Sequence, residues 1–472
     1  MNNIKSYFWG LLARFAPQGI YLVTTMILAR FITPEDFGMI GVLAVIFTVA
    51  NILLDSGLGG SLIKEKEITG LDCSTIGTFN IIVGILIYII LFLLSNTIEA
   101  YFEIPGLSNV VRVISIVFPI TALGIVPQSL LKRNLEFKKL FISSIISVII
   151  ASLVAIIIAV KGGGVYALVS YQIMVNLVLV ICNFIFTRYR LSFRMSLINL
   201  ERLFPFGFFT SIVTIVDTVY ENIMTMLTGK FLNVQTAGYL YQAKRLEETM
   251  SSSLAMAVGI VAFPVLTRMK DNLEEFVTEA QSTLKTITLL VFPILITVSI
   301  YSKEILVILF GKQWISSAPY LRVLMISGLF ILMEQLYLSF IKALGRVKSL
   351  AYITLAKRVV GLAILLAALA ISPDLLVYAY LVSTIIGFVV NLSLFCYLTN
   401  KAISTYLKEL TITITPMIVY CFLAYSIMNL ISLKATILTS LVFLSFYYLF
   451  FLKFRGVDIL NFLKLIFNRN SK

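Results

Sequence analysis

The feature of this sequence that most constrains its fold is a series of long apolar runs. The run FISSIISVIIASLVAIIIAV at 141–160 contains no charged side chain. A helix needs about 20 mostly apolar residues to cross the hydrocarbon core of a bilayer. Across 472 residues the chain is 60% hydrophobic and only 13% charged, whereas a soluble domain carries roughly 25% charged residues. We therefore predict an all-α polytopic membrane protein.

Hydropathy along the chain predicts about fourteen transmembrane helices. They are expected at 8–28, 37–56, 76–96, 109–131, 140–160, 164–186, 204–228, 237–262, 284–302, 319–341, 350–371, 375–397, 411–430 and 434–452. Lys and Arg are roughly four times as frequent in the connecting segments of one side as in those of the other, and such segments stay in the cytoplasm. Both termini are therefore predicted to be cytoplasmic. The first apolar run is interpreted as an uncleaved helix, not as a signal peptide.

The net charge of +14 is spread over many short loops and forms no compact basic domain. Contact with anionic lipid headgroups explains it better than nucleic-acid binding, so we predict membrane lipids and no nucleic acid as partners. The chain has no histidine, which excludes zinc or haem ligation and general-base catalysis by that residue. No metal site is predicted. The cysteines are too scattered to indicate a disulfide framework; they are Cys73, Cys182, Cys396 and Cys421.

A polar segment near the start of the chain recurs about two hundred residues later. ARFITPEDFG at 29–38 and GKFLNVQTAG at 229–238 share a phenylalanine at the third position and a glycine at the tenth. A second resemblance links 128–140 with 338–350, each of which closes the fourth helix of a six-helix block. Because six is an even number, both blocks enter the membrane in the same direction. They are expected to form a parallel repeat about an axis along the membrane normal.

This repeat predicts the organisation of the chain into four parts. They are an N-terminal six-helix lobe at 1–186, a cytoplasmic linker at 187–203, a C-terminal six-helix lobe at 204–397, and two extra helices with a basic cytoplasmic tail at 398–472. Paired bundles of this kind enclose a central cavity, and rocking one bundle against the other gives alternating access.

The two copies differ most just after their shared glycines. The first continues as a plain apolar helix, whereas the second continues YLYQAKRLEETMSSSLAMAV, with Lys244, Arg245, Glu247 and Glu248 in the first half of a predicted span. Charges at that depth are costly in lipid, which favours a water-filled cavity. The alternative is that the helix begins near Ser251 and that the four charges lie in an outside loop.

Other ionisable residues also fall within predicted spans. Arg14 lies in the first helix, and Asp217 and Glu221 lie one turn apart in the seventh. Two carboxylates on one face form a candidate proton or sodium site. Lys357 and Arg358 lie in the eleventh helix. For each of these residues a structural ion pair is the competing interpretation. The cavity nevertheless leans cationic, which suits an anionic headgroup attached to a lipid tail.

Four segments together resemble a known family. LARFITPEDFGMIGV, SLLKRNLEFKKL, LFGKQWISSAPYLRVL and IKALGR are similar to sequences of the polysaccharide exporter branch of the multidrug/oligosaccharidyl-lipid/polysaccharide flippase superfamily. The resemblance implies two six-helix lobes and a C-terminal helix pair. It also implies flipping of an undecaprenyl-diphosphate-linked oligosaccharide across the bacterial cytoplasmic membrane for surface polysaccharide biosynthesis. Within the third segment, Gly311 is expected to shape a turn and Trp314 to anchor the chain at the membrane interface.

Relatives carry basic residues in the central cavity, including an arginine in the first helix that Arg14 matches. The diphosphate and glycan are therefore expected to bind Arg14, Lys244, Arg245, Lys357 and Arg358. Asp217 or Glu221 is expected to bind a coupling H+ or Na+. No cofactor is predicted, and a polysaccharide polymerase is an expected partner.

Three other functions were compared with this one. A peptidoglycan lipid-linked precursor flippase would share the lobes and the basic cavity. A cation-coupled multidrug antiporter of the same superfamily would suit the acidic pair but not the basic cavity. A membrane glycosyltransferase or polymerase would need a large outside loop with catalytic residues, and the predicted outside loops are short. The chain also lacks the GxxxxGK[ST] motif of ATP-driven transporters. We therefore predict a transporter and not an enzyme.

Overall fold

The fold was analysed in a computed structural model. It describes residues 2–401 except 56, 252–262 and 264, and the side chains of 2–8, 202–213, 347–349 and 351 are not described. Within these limits every regular element is a helix. The first eight helices are α1 Asn2–Leu28, α2 Pro34–Asp55, α3 Leu58–Lys64, α4 Gly70–Phe102, α5 Leu107–Ile114, α6 Val117–Arg133, α7 Phe137–Val160 and α8 Val165–Thr187. The others are α9 Leu197–Phe231, α10 Val234–Met250, α11 Leu273–Ile300, α12 Ser302–Phe310, α13 Ala318–Ala343, α14 Val347–Ile371 and α15 Leu376–Thr399.

In this described part of the chain, ten segments are long and apolar enough to cross a membrane. They coincide with ten of the fourteen predicted spans, and the protein is a multi-pass membrane protein. The spans predicted at 204–228 and 237–262 correspond to the helices α9 and α10, which carry charged residues and are not among the ten. The last two predicted spans, at 411–430 and 434–452, lie outside the described residues, as does the basic tail.

Two helices differ in extent from the prediction for clear physical reasons. The helix predicted at 76–96 begins at Gly70, because Thr69 and Asp72 cap each other's backbone amides in a capping box. The span predicted at 109–131 is broken near Ser115 into α5 and α6. Pro119 has no amide hydrogen to donate to the carbonyl of Ser115, which weakens the helix at that point.

The contacts divide the chain into two compact units. The first comprises Met1–Gln242 with Val307–Ser316, and the second comprises Ala243–Leu306 with the described part of Ser317–Lys472. In the first unit α7 packs along α1 and α8, and α6 packs on α4 and α8. In the second unit α13 packs on α11 and α15, and α14 packs along α15. The predicted lobes at 1–186 and 204–397 remain a prediction.

Candidate functional site

The first turns of α2 and α10 contact each other through the two glycines of the sequence repeat. A Cβ atom placed on Gly38 would overlap the carbonyl oxygen of Val234, and one placed on Gly238 would overlap the carbonyl oxygen of Pro34. The two contacts are the same contact with the copies exchanged, which is expected where equivalent segments meet about a local two-fold axis. Only glycine permits so close an approach of the two backbones.

The segment Val307–Ser316, here called the clasp, packs on the end of α1. The buried indole of Trp314 donates a hydrogen bond of 2.8 Å from Nε1 to the carbonyl oxygen of Ala29. The side-chain amide of Gln313 donates to the carbonyl of Ala29 as well, and also to that of Ile32 at 3.2 Å. The ring of Phe37 meets the indole edge-on at a centroid distance of 5.2 Å.

These contacts correct one expectation and confirm another. The prediction that Trp314 is an interfacial anchor was wrong, because the side chain is fully buried in the protein. The prediction that Gly311 shapes a turn is confirmed by its φ of 105°, which places it in the left-handed region that glycine favours.

An ion pair joins the end of α9 to the end of α4. The Nζ atom of Lys230 lies 2.7 Å from Oε1 of Glu103 and 5.1 Å from the centroid of the Tyr101 ring. The hydrogen bond from Lys230, together with its charge, lowers the pKa of the Glu103 carboxyl below its ordinary value.

The charged residues of the second repeat copy lie inside a helix. Helix α10 begins at Val234, so Lys244 lies ten residues later, about 15 Å along the axis. The alternative that the helix begins near Ser251 was therefore wrong, and the position of these charges within the membrane remains a prediction. The Lys244 side chain is buried, its Nζ atom 3.9 Å from Oε1 of Glu248 and 5.5 Å from the centroid of the Tyr380 ring. Its ammonium group makes no hydrogen bond within the described residues.

Arg245 and Glu247 occupy opposite environments on the same helix. The Arg245 side chain is 46% exposed, and its Nη1 atom lies 3.7 Å from Oε2 of Glu248. Glu247 is buried, and its carboxylate accepts a hydrogen bond from the hydroxyl of Ser251. A Cβ atom on Gly328 would lie 3.0 Å from Oε1 of Glu247, so that glycine leaves room for the carboxylate. Arg245 is thus the accessible cation of this stretch, and Lys244 lies behind it.

A buried ion pair connects three helices of the second unit. Lys357 on α14 donates to Oε1 of Glu334 on α13 at 2.7 Å and to Oδ1 of Asn391 on α15 at 2.8 Å. The amide of Asn391 also donates to the carbonyl oxygen of Glu334 at 3.1 Å. A Cβ atom on Gly387 would lie 2.6 Å from Oε2 of Glu334, so this glycine makes the cluster possible.

Two of the predicted substrate ligands, Lys357 and Lys244, contact α15 at positions far apart along that helix. Lys357 contacts α15 at Asn391, whereas Lys244 contacts it at Tyr380. The two positions lie eleven residues apart, about 16 Å along the helix. For Lys357 the sequence analysis left a structural ion pair as the competing interpretation. The structure contains such a pair, with Glu334. Contacts of Lys357 and its half-buried neighbour Arg358 with substrate remain predictions.

The remaining predicted site residues lie on α1 and α9. Arg14 is exposed on α1, Asp217 is partly buried on α9, and Glu221 is exposed one turn further along α9. Their roles remain predictions.

Sequence reasoning missed Asn391 and Tyr380. The amide of Asn391 stands inside the apolar run STIIGFVVNLSLF, and a polar side chain in such a run could have indicated it. No feature of the neighbouring sequence distinguishes Tyr380.

Comparison with known proteins identifies the family. The profile of a family described as polysaccharide biosynthesis protein matches residues 27–319. The lipopolysaccharide biosynthesis protein WzxC of Escherichia coli (strain K12) is 24% identical over 70% of this chain and 67% of its own length. The teichuronic acid biosynthesis protein TuaB of Bacillus subtilis (strain 168) is 24% identical over 76% and 75%. The succinoglycan biosynthesis transport protein ExoT of Rhizobium meliloti (strain 1021) is 24% identical over 72% and 68%.

Solved structures show the same fold. The lipid II flippase MurJ in an inward closed conformation superposes with a TM-score of 0.74 and 16% identity, covering 95% of this chain and 98% of that one. An inward-facing multidrug resistance transporter of the MATE family, in the MOP superfamily, gives a TM-score of 0.61 and 11% identity over 84% and 99%. These relatives are transporters, in agreement with the prediction that the protein is not an enzyme. Since the family profile covers more than half of the sequence, the chain belongs to the polysaccharide biosynthesis protein family.

Proposed function

We propose that the protein flips an undecaprenyl-diphosphate-linked oligosaccharide repeat unit across the bacterial cytoplasmic membrane for surface polysaccharide biosynthesis. Family membership supports this proposal, as do relatives named for lipopolysaccharide, succinoglycan and teichuronic acid biosynthesis. The orientation with both termini in the cytoplasm rests on the distribution of basic residues. A polysaccharide polymerase that consumes the flipped unit belongs to the same proposal.

The observation that carries the proposal is the exposure of Arg245. We propose that α10 enters the membrane near its first residue, Val234. Arg245, about 16 Å further along the helix, then lies near the middle of a hydrocarbon core about 30 Å thick. A charge at that depth costs about 2.5–3.5 kcal/mol when it faces lipid. Besides Glu248, which lies 3.7 Å away, an exposed guanidinium at that depth is stabilised by water or by a second anion. A guanidinium binds two phosphate oxygens through parallel hydrogen bonds, which suits the diphosphate of a lipid-linked sugar.

The charges around Arg245 suggest how the diphosphate binds and leaves. Glu248 lies 3.7 Å from Arg245 and 3.9 Å from Lys244, so one carboxylate serves two cations. When the diphosphate pairs with Arg245, Glu248 keeps Lys244 as its partner and remains neutralised. When the diphosphate departs, Glu248 returns to Arg245. Because Glu248 and the diphosphate replace each other, Arg245 is paired with an anion at each stage. The diphosphate can therefore be released without leaving Arg245 unpaired.

The other predicted residues complete the proposed mechanism. Arg14 on α1 binds the diphosphate or the first sugar, while Lys357 and Arg358 contact the glycan. Asp217 or Glu221 binds the coupling H+ or Na+ that returns the empty transporter. The two predicted lobes at 1–186 and 204–397 rock against each other to give alternating access.

Two related functions are less well supported. The fold is shared with the lipid II flippase MurJ and with MATE transporters, but identities of 16% and 11% show the fold alone. The family profile and the named curated relatives favour surface polysaccharide precursors over peptidoglycan precursors and over cationic drugs.

Complementation of a strain that lacks the gene tests the proposal. Wild-type protein is expected to restore surface polysaccharide, and the empty strain to accumulate the undecaprenyl-linked repeat unit. R14Q and R245Q are expected to reduce restoration by tenfold or more, because a charge-assisted hydrogen bond contributes about 1.5–3 kcal/mol. K161Q, in the exposed loop between α7 and α8, is the matched control and should restore fully. Normal polysaccharide in the empty strain contradicts the proposal, and rescue of a lipid II flippase mutant would favour the peptidoglycan alternative.

A further inference from the structure

The segment between α8 and α9 exposes an unusual number of apolar side chains. We define the linker strip as residues 188–198, which leave the end of α8, have no regular secondary structure over 189–196 and enter α9 at Leu197. Phe193 is 72% exposed and Ile198 is 80% exposed. The other exposed apolar side chains of the strip are Leu191, Met195 and Leu197. An apolar surface of this kind, rimmed by polar residues, marks a place where something else binds.

The linker strip is held to the first unit at several points. The backbone amide of Ser196 donates to Oγ1 of Thr75 at 3.1 Å, and the side-chain amide of Asn199 donates to Oδ1 of Asp72 at 2.9 Å. Near its start, Tyr189 packs on a buried cluster formed by residues of α3, α4 and α6. The apolar side chains therefore point outward from an anchored backbone.

The charge of the linker strip has one sign. Arg188, Arg190 and Arg194 are exposed, and no acidic residue lies within the strip. In YRLSFRMS, Arg190 and Arg194 each have an apolar residue on either side in the sequence. The strip thus combines three cations with an apolar edge.

The position of the linker strip identifies its surroundings. Helix α8 is a candidate membrane span that ends at Thr187, so Arg188 stands where the hydrocarbon core ends. Helix α7 packs along α8 and begins at Phe137. In its first turn, Nζ of Lys138 lies 5.8 Å from the centroid of the Trp9 ring. Aromatic and basic side chains of this kind gather at the membrane–water interface.

We propose that the linker strip binds the anionic lipids of the membrane surface beside it. Leu191, Phe193 and Met195 enter the boundary between headgroups and acyl chains, and the three arginines bind lipid phosphates. Arginine buries its aliphatic stem while its guanidinium reaches the phosphate layer, and clusters of basic residues beside a span recognise anionic headgroups. Because the strip leads directly into α9, bound lipid holds the start of that helix at the surface. This inference does not depend on the transported substrate.

Spin-label depth measurements test the position of the strip. Single cysteines at 191, 193 and 195 are introduced into a variant without the four native cysteines, labelled with a nitroxide and reconstituted in nanodiscs of 30% phosphatidylglycerol. Labels at the three positions are expected to be accessible to oxygen and shielded from a water-soluble nickel complex. Asn134, exposed in the turn between α6 and α7, provides the aqueous control. Free access of nickel to all three positions overturns the proposal, as does shielding from both reagents, which indicates a protein partner.

A second comparison tests the role of the arginines. The depth of the label at 193 is measured in nanodiscs of phosphatidylcholine alone and in the R188Q/R190Q/R194Q variant. Either change is expected to raise nickel accessibility at 193 at least twofold, while the label at 134 stays unchanged. An unchanged depth at 193 in both experiments shows that anionic lipid is not the ligand, and overturns the proposal.

Discussion

Gly38 on α2 packs against α10, and Gly238 on α10 packs against α2. The two glycines occupy equivalent positions of the sequence repeat. Gly38 contacts the backbone at Val234, and Gly238 contacts the backbone at Pro34. One turn further along, Gly41 makes room for the side chain of Tyr241. Two copies of one segment therefore cross by their first turns, and the crossing depends on the absence of Cβ atoms at the two shared glycines.

Substitution of either shared glycine should destabilise this crossing. In G38A or G238A the added methyl group meets a backbone carbonyl that cannot rotate away, and overpacking of this kind costs about 1–3 kcal/mol. Thermal unfolding of the purified protein in detergent is expected to show a lower midpoint for both variants.

The control for this prediction is G19A. No atom of the described residues lies within 4 Å of a Cβ atom at Gly19 in α1, and alanine favours the helix by up to about 1 kcal/mol. G19A should therefore unfold at or above the wild-type temperature. Equal behaviour of G38A and G19A would show that the close approach of α2 and α10 does not exist in the protein.

The clasp predicts a graded response at Trp314. W314F removes the hydrogen bond to the carbonyl of Ala29, which keeps Gln313 as a donor, so the loss should be about 0.5–1.5 kcal/mol. W314A also leaves a cavity and should cost about 3–5 kcal/mol. Chemical denaturation followed by fluorescence gives the difference. W9F is the control, and an effect of W314A no larger than that of W9F contradicts a buried role.

The ion pair of Lys357 with Glu334 predicts strong coupling between two substitutions. K357M or E334Q alone leaves a buried group without its partner, which costs about 3–5 kcal/mol. The double variant K357M/E334Q removes both charges and should lose less stability than the sum of the single variants. A double-mutant cycle on thermal unfolding measures the coupling. Additive effects would show that the two side chains do not interact.

The ion pair of Glu103 with Lys230 predicts a dependence of stability on pH. Because the folded-state pKa of Glu103 lies below its ordinary value of about 4.3, the pair stabilises the protein above that value. This contribution is lost as pH falls through the lowered folded-state pKa. The difference in unfolding midpoint between wild type and E103Q should be present at pH 6. It should disappear once the pH is below the lowered folded-state pKa of Glu103. A difference that is independent of pH contradicts the pairing.

Ten of the membrane-crossing helices could be predicted from the sequence because a lipid-exposed backbone must satisfy its own hydrogen bonds. Backbone groups must bond within each segment, so apolar length alone places the helices. Thr69 and Pro119 show what hydropathy cannot register, since caps and missing amide hydrogens act at single residues.

The candidate site was less predictable, because burial depends on tertiary packing. Lys244 and Arg245 are neighbours in the sequence, and both lie inside α10. Only the packing against Tyr380 shows that Lys244 is buried while Arg245 is exposed. The partner of Lys357 was likewise undetermined, because Glu334 and Asn391 lie 23 and 34 residues away along the chain. The repeat was visible in two shared residues, but their mutual contact was not.

The most direct test of the proposed function is a flipping assay with purified protein in liposomes. Fluorescently labelled undecaprenyl-diphosphate oligosaccharide is placed in one leaflet, and its arrival in the other is followed with a glycosidase that cannot cross the membrane. Wild-type protein is expected to expose the substrate to the enzyme, R245Q to do so at least tenfold more slowly, and labelled phosphatidylcholine to remain in place. Substrate that stays in its original leaflet with wild-type protein, or that moves equally fast with R245Q, would contradict the account.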